Sequence, residues 1–309
     1  MNDPESLKDE LKKRITNFCN KYGYDDALIL YYFSESPIIE ASVDNLYDYL
    51  KDYFLRKLKA DESKEYKKLK RLAVFLHSYG GDAGSAYLMV KMLREIAEEI
   101  HGYVPSRAKS AATLFMLGMD KIVMGPTSEL GPVDPLVIYP VLNMWMPAKA
   151  VIKATEEILP RLRVSREAPP LAVLPVDPAH IGLCHLALED AEKYTRLLLK
   201  EYNLRGKGEE EINKVIKSLV EEYPSHSFAL GYDDCIRIGL NVEKKNMIEW
   251  CDVWEIYALI KDIAKGFIRE LQKRMKIKDA EKLRKVIRKL SPLIIASSEG
   301  LRVYTQEAI

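Results

Sequence analysis

Leu72-Ala-Val-Phe-Leu-His-Ser-Tyr-Gly-Gly-Asp82 and, about thirty residues later, Lys109-Ser-Ala-Ala-Thr113 decide how this chain is read. The first stretch is an apolar strand that ends in a glycine turn and runs into a helix. The second places a serine immediately before a short apolar helix. A glycine turn lets backbone N–H groups approach a ligand with no Cβ in the way, and a helix-start serine lies in the field of unpaired N–H groups. Those are two parts of an acyl-transfer site. The turn could also be a plain start to a helix with Asp82 as N-cap, and Ser110 could simply cap its own helix. A dinucleotide loop would need glycine at Tyr79 as well as at Gly81 and Gly84, and no phosphate-loop lysine follows.

Working outward, strands alternate with helices, which predicts an α/β architecture with parallel pairing. Ser6–Cys19 and Val43–Leu58 have helical spacing, and Ala27–Phe33 reads as a buried strand. After the strand at Arg71–His77, a helix is expected from about Ala83 to Ile100. A strand at His101–Pro105, the helix Ala111–Gly118 and a strand at Lys121–Met124 follow. From Pro135 the character changes: Met144–Leu159 has helical spacing, and Glu167–Pro178 is a proline-rich connector. His180–Tyr202, Glu209–Tyr223 and Tyr232–Gly239 read as helices, with Leu240–Val242 extended. Two helices, about Val253–Met275 and Asp279–Leu290, precede terminal strands near Leu293–Ala296 and Leu301–Tyr304.

With 309 residues, 48% of them hydrophobic, the chain can bury a sizeable core. Its net charge of +1 gives no global attraction to nucleic acid or membrane. The one strongly basic stretch, Arg269–Lys289, carries ten Lys/Arg against three Asp/Glu, and its apolar spacing suggests helices with a solvated face. No nucleic-acid partner is expected. Cys19, Cys184, Cys235 and Cys251 have no CxxC spacing, so neither a metal nor any other cofactor is expected. The absence of a signal-like segment or a membrane-spanning apolar run predicts a soluble, cytoplasmic protein.

Leu76-His-Ser-Tyr-Gly-Gly81, Pro105–Leu114, Met119–Met124 and Glu129-Leu-Gly-Pro-Val-Asp-Pro135 together resemble the serine dehydrogenase proteinase family. That family has the Clp-protease/crotonase fold and is related to signal peptide peptidase A. The resemblance continues more weakly through Tyr223–Phe228 and Tyr232–Val242. It implies a core of stacked β-β-α units over 26–242, with a helical excursion at about 140–223, and helical spacing places an N-terminal helix (1–25) before that core. A helical C-terminal extension with terminal strands (243–309) would follow. It further implies Ser110 as the nucleophile of an ATP-independent serine peptidase, with backbone N–H groups of Gly81 and Ala111 as the oxyanion hole. A peptide or protein substrate and a homo-oligomer follow from the same resemblance.

The base is the open position. Val133 stands where the Clp proteolytic subunit has its histidine, in Gly131–Pro135. His226 lies in the loop that supplies the triad acid in that fold and is the leading substitute. Lys149 and Lys153 are alternatives, as in a serine–lysine dyad, and each would need desolvation to act as a base near neutral pH. Asp134 could orient a base or begin a turn before Pro135. Two further readings stay open: a non-catalytic oligomeric scaffold, motivated by Val133, and a crotonase-like acyl-CoA enzyme.

Overall fold

The computed structural model describes residues 4–34, 36–59, 67–139, 143–158 and 178–305. Most of the charged 59–70 stretch and all of the proline-rich connector except Pro178 lie outside the described residues.

Helix α1 (Pro4–Tyr22) leads into strand β1 (Asp26–Tyr32), helix α2 (Glu40–Lys59) and strand β2 (Leu69–His77). Helix α3 (Ala83–Ile96) starts at Asp82, whose carboxylate accepts the Ser85 N–H at 2.6 Å. Next come β3 (Ala97–Val104), β4 (Arg107–Ala108), α4 (Ala111–Leu117), β5 (Lys121–Met124) and β6 (Glu129–Leu130). The hairpin β7 (Leu136–Tyr139) and β8 (Met144–Pro147) leads into α5 (Ala148–Lys153), α6 (Pro178–Leu198) and α7 (Glu209–Lys217). Each of these three helices has a π-helical turn on its C-terminal side, Ala154–Ile158, Leu199–Asn203 and Ser218–Glu222. Helix α8 (Tyr232–Ile238), β9 (Val242–Lys244), α9 (Met247–Met275), α10 (Ala280–Leu290), β10 (Leu293–Ala296) and β11 (Leu301–Tyr304) complete the described elements.

The central sheet has the order β11-β10-β1-β2-β3-β5-β9. From β1 to β9 the neighbours are parallel, and the two terminal strands add antiparallel beside β1. Burial explains why β2 reads as a continuous apolar run: both of its faces are covered. Leu72, Val74 and Leu76 join one core with Leu46 and Tyr49 of α2 and Met89, Val90 and Leu93 of α3. Ala73 and Phe75 point the other way, onto Ile15 and Phe18 of α1 and Trp250, Val253 and Ile256 of α9. A satellite cluster of Ala148, Val151, Ile152 and Cys184, with Val137 and Met146, holds the hairpin against α5 and α6.

Two segments differ from the sequence expectation. The helix expected to run to Ile100 stops at Ile96, and Ala97–Ile100 begin β3. Pairing with β2 outweighs the local helical preference of Ala-Glu-Glu. Met144–Pro147 forms a strand instead of the first turn of a helix, because it pairs with Leu136–Tyr139. Among the described residues, no helix is long and apolar enough to cross a membrane.

Candidate active site

Strand β2 delivers the glycine turn to the nucleophile candidate. Beyond His77, the Ser78 N–H donates to Arg107 O at 3.1 Å and the Lys109 N–H donates to Ser78 O at 3.1 Å. These two bonds zip the end of β2 to β4. Ser78 Oγ accepts the Gly80 N–H at 3.1 Å, which folds the turn back on itself. Gly80 has φ +109° and Gly81 φ +147°, backbone conformations that side chains other than glycine rarely adopt. A Cβ on Gly80 would lie 2.8 Å from Ser110 Cβ and 3.3 Å from the Ala111 nitrogen. The turn and the serine are therefore in direct contact.

Ser110 itself is strained, with φ 52° and ψ −120°, outside the helical, extended and left-handed wells. Its hydroxyl does not cap α4, and it makes no hydrogen bond among the described residues. Helix α4 behind it is buried along its whole length, from Ala111 to Leu117. That burial holds the strained residue in place, since the helix cannot move without opening the core. The N–H groups of Gly81 and Ala111 likewise have no acceptor among the described residues. For Gly81 the reason is visible: the neighbouring bridge to Ile38 uses Gly80 O and the Asp82 N–H instead.

Thr113 ties this unit to the next segment. Its Oγ1 donates to Ala108 O at 2.7 Å and accepts the Gly131 N–H at 3.0 Å. Three residues further on, the Asp134 side chain is fully buried. Its Oδ1 is 2.8 Å from His226 Nδ1, and its Oδ2 is 3.0 Å from Lys149 Nζ. The lysine contact is an ion pair without hydrogen-bond geometry, and Lys149 also donates to Tyr223 O at 2.5 Å. Burial alone would raise the pKa of Asp134. The hydrogen bond from His226 and the positive charge of Lys149 outweigh it, and the carboxyl is held below the ordinary carboxylate range. An ionised carboxylate only accepts hydrogen bonds, so the proton in this contact sits on His226 Nδ1 and leaves Nε2 as the basic nitrogen.

Of the residues singled out in the sequence, the structure brings Asp134, His226 and Lys149 into one cluster, and the segment that carries Asp134 is tied to helix α4 of Ser110 through Thr113 and Gly131. It does not bring Lys153 there: that side chain is 70% exposed and faces Glu157 at 4.0 Å. Val133 is buried, and its N–H donates to Leu219 O at 2.9 Å. His77 is also apart from the cluster, stacked on Tyr31 and hydrogen-bonded to Tyr257. The basic side chains of Arg269–Lys289 are all exposed on α9 and α10 and the turn between them. Lys109 adjoins Ser110 and is expected from the sequence only to point away from it; the sequence does not show that its Nζ donates to Leu130 O at 3.0 Å and Phe228 O at 3.1 Å. Nothing local marks it, because both acceptors are carbonyls supplied by distant segments.

A family model described as ClpP-like SDH-type serine proteinase matches residues 55–282. The chain belongs to this family. An uncharacterized protein of Methanocaldococcus jannaschii is 27% identical over 188 residues, which cover 61% of this chain and 59% of the relative. The match thus spans about three fifths of that relative's length. Among solved structures, the chain is similar to a substrate-bound lysine-to-alanine variant of the 1510-N membrane-bound stomatin-specific protease. That likeness has a TM-score of 0.41 at 16% identity and covers 69% of this chain and 73% of the other. A serine-to-alanine variant of the same protease gives 0.41 at 15%, covering 68% and 75%. Membership of a ClpP-like family agrees with the α/β architecture of the sheet and its flanking helices.

Proposed function

We propose that this ClpP-like family member is a serine peptidase that cleaves peptide bonds through an acyl-enzyme on Ser110. In this reading His226 is the base and Asp134 orients it. The observation that carries it is the 2.8 Å contact between His226 Nδ1 and the buried, ionised Asp134, which leaves Nε2 to take a proton. Ser110 Oγ attacks the substrate carbonyl carbon and passes its proton to Nε2. The N–H groups of Gly81 and Ala111 receive the oxyanion. Collapse of the tetrahedral intermediate expels the amine, which takes the proton from His226, and a water activated by the same nitrogen then hydrolyses the ester. Among the described residues Ser110 has no hydrogen bond to His226, and catalytic hydrogen bonds commonly tighten only in the substrate complex. The proposed reaction uses no ATP, in keeping with the missing phosphate-loop lysine.

A homo-oligomer belongs to the same proposal. Hairpin pairing sets Ile138 opposite Trp145, and both side chains are exposed, while the adjacent pair Val137 and Met146 faces the satellite cluster. With Leu183 and Leu186 exposed on α6, this excursion offers the apolar surface an association would cover. The test of function is a fluorophosphonate probe, followed by a casein digest, on the purified full chain. Labelling is expected on wild type, absent in Ser110→Ala and strongly reduced in His226→Ala. Equal labelling of wild type and Ser110→Ala sinks the assignment. A wild type that neither labels nor turns over casein supports the scaffold reading instead.

A further inference from the structure

The loop that carries His226 has little burial to hold it. Pro224, Ser225, Ser227, Phe228 and Ala229 are exposed, and only at Leu230 does the chain re-enter the core, bridging to Leu130. Polar bonds fix it instead, and two of them come from lysines at its opposite ends. Lys149 Nζ, on α5, donates to Tyr223 O at 2.5 Å while standing 3.0 Å from Asp134 Oδ2. Lys109 Nζ, next to the nucleophile, donates to Phe228 O at 3.1 Å and to Leu130 O at 3.0 Å. The rings of Tyr223 and Phe228 meet at 4.8 Å and close the loop between these anchors. Both side chains are largely withdrawn from solvent, at 11% exposure for Lys109 and 21% for Lys149, so these are not casual surface contacts.

We propose that Lys109 and Lys149 are positioning residues that clamp the His226 loop, one to the nucleophile segment and the other to the triad acid. The inference rests on the Ser110–His226–Asp134 reading and adds to it what holds the base in register. Lys149 has a second consequence. The charged and titratable groups that meet Asp134 are His226 from the loop and Lys149 from α5. Asp134 therefore does not act on the imidazole with its full charge, because the ammonium on its other oxygen offsets it. Removing the ammonium favours the protonated imidazole, which cannot act as a base, so reactivity then sets in at higher pH.

The experiment follows probe labelling of Ser110 against pH in the full chain. Lys149→Met is expected to slow labelling about ten- to a hundredfold. It also moves the acid limb of the profile to higher pH, because the cation 3.0 Å from Asp134 Oδ2 no longer offsets that carboxylate. Lys149→Gln can still donate to Tyr223 O, so it recovers rate and leaves the limb displaced; Lys149→Arg recovers both. Lys109→Met, which does not touch Asp134, slows labelling and leaves the limb in place. Thermal melting accompanies each variant, and if Lys149→Met does not fold, the Gln and Arg variants decide the matter. Rates within twofold of wild type and an unmoved limb across the Lys149 and Lys109 variants overturn the clamp while His226→Ala remains impaired. If His226→Ala labels like wild type, the triad reading fails first and the clamp goes with it. If, in addition, Lys149→Met and Lys149→Arg are both silent, Lys149 is itself the base.

Discussion

Substituting alanine for Gly80 tests whether the glycine turn positions the nucleophile. The new Cβ would sit at φ +109°, a conformation that costs an L-residue about 1–2 kcal/mol. It would also lie 2.7 Å from Lys109 O and 2.8 Å from Ser110 Cβ, where ordinary contacts begin near 3.5 Å. Relieving both contacts requires a shift of roughly 0.7 Å in the segment that holds Ser110, and overpacking of that kind costs about 1–3 kcal/mol. The expected loss of stability is about 3 kcal/mol. Because a misplacement near 1 Å costs about a hundredfold in a positioned reaction, labelling of Ser110 should fall some thirty- to a hundredfold. Urea unfolding and the second-order rate of fluorophosphonate labelling read the two effects separately. Gly84→Ala is the control, since its Cβ meets only Asp82 Oδ2 at 3.3 Å and Tyr194 Oη at 3.7 Å. A Gly80→Ala protein that loses stability but labels like wild type would refute the positioning role of the turn. One that is unchanged in both would refute the packing argument itself.

Two further outcomes follow from strain and burial. Ser110→Gly should abolish labelling yet raise stability by about 1 kcal/mol, because relief of a φ 52°, ψ −120° conformation exceeds the added flexibility of glycine in the unfolded chain; lower stability in urea would show that the residue is not strained. His77 is held neutral, its pKa pushed down to about 3 by burial first and then by the charges of Arg107 and Lys261. The unfolded chain takes up that proton below about pH 6.5 and the folded one only near pH 3, so stability is lost as pH falls through this window, by roughly 2 kcal/mol between pH 6.5 and 4.5. His77→Phe, which keeps the stack on Tyr31, should flatten that acid slope in urea titrations, and an unchanged slope would assign the acid loss to other groups.

The unit of glycine turn and serine was legible in the sequence because it is local. An apolar strand, a glycine pair, a serine and a short apolar helix are each short-range patterns, and the contacts that join them span about thirty residues. The boundaries of α3 and β8 were less legible, since Ala97–Ile100 and Met144–Pro147 become strands only through partners elsewhere in the chain. The proposed base is the extreme of the same difficulty. His226 and Asp134 are 92 residues apart, and Lys149 meets the loop 74 residues later at a backbone carbonyl that could belong to any residue type. A carbonyl acceptor leaves no pattern, which is why the contacts of Lys109 to the loop could not be foreseen and why Lys149 and Lys153 looked alike in the sequence. Burial then separates these two: Lys149 is drawn into the Asp134 cluster, and Lys153, one helical turn on, stays in solvent beside Glu157. The missing histidine at Val133 loses its weight as an argument against activity once Asp134, the next residue, is seen to hold His226 from the opposite loop. In the proposed triad the same two roles have their chain positions exchanged, and a triad is defined by geometry and not by the order of its residues.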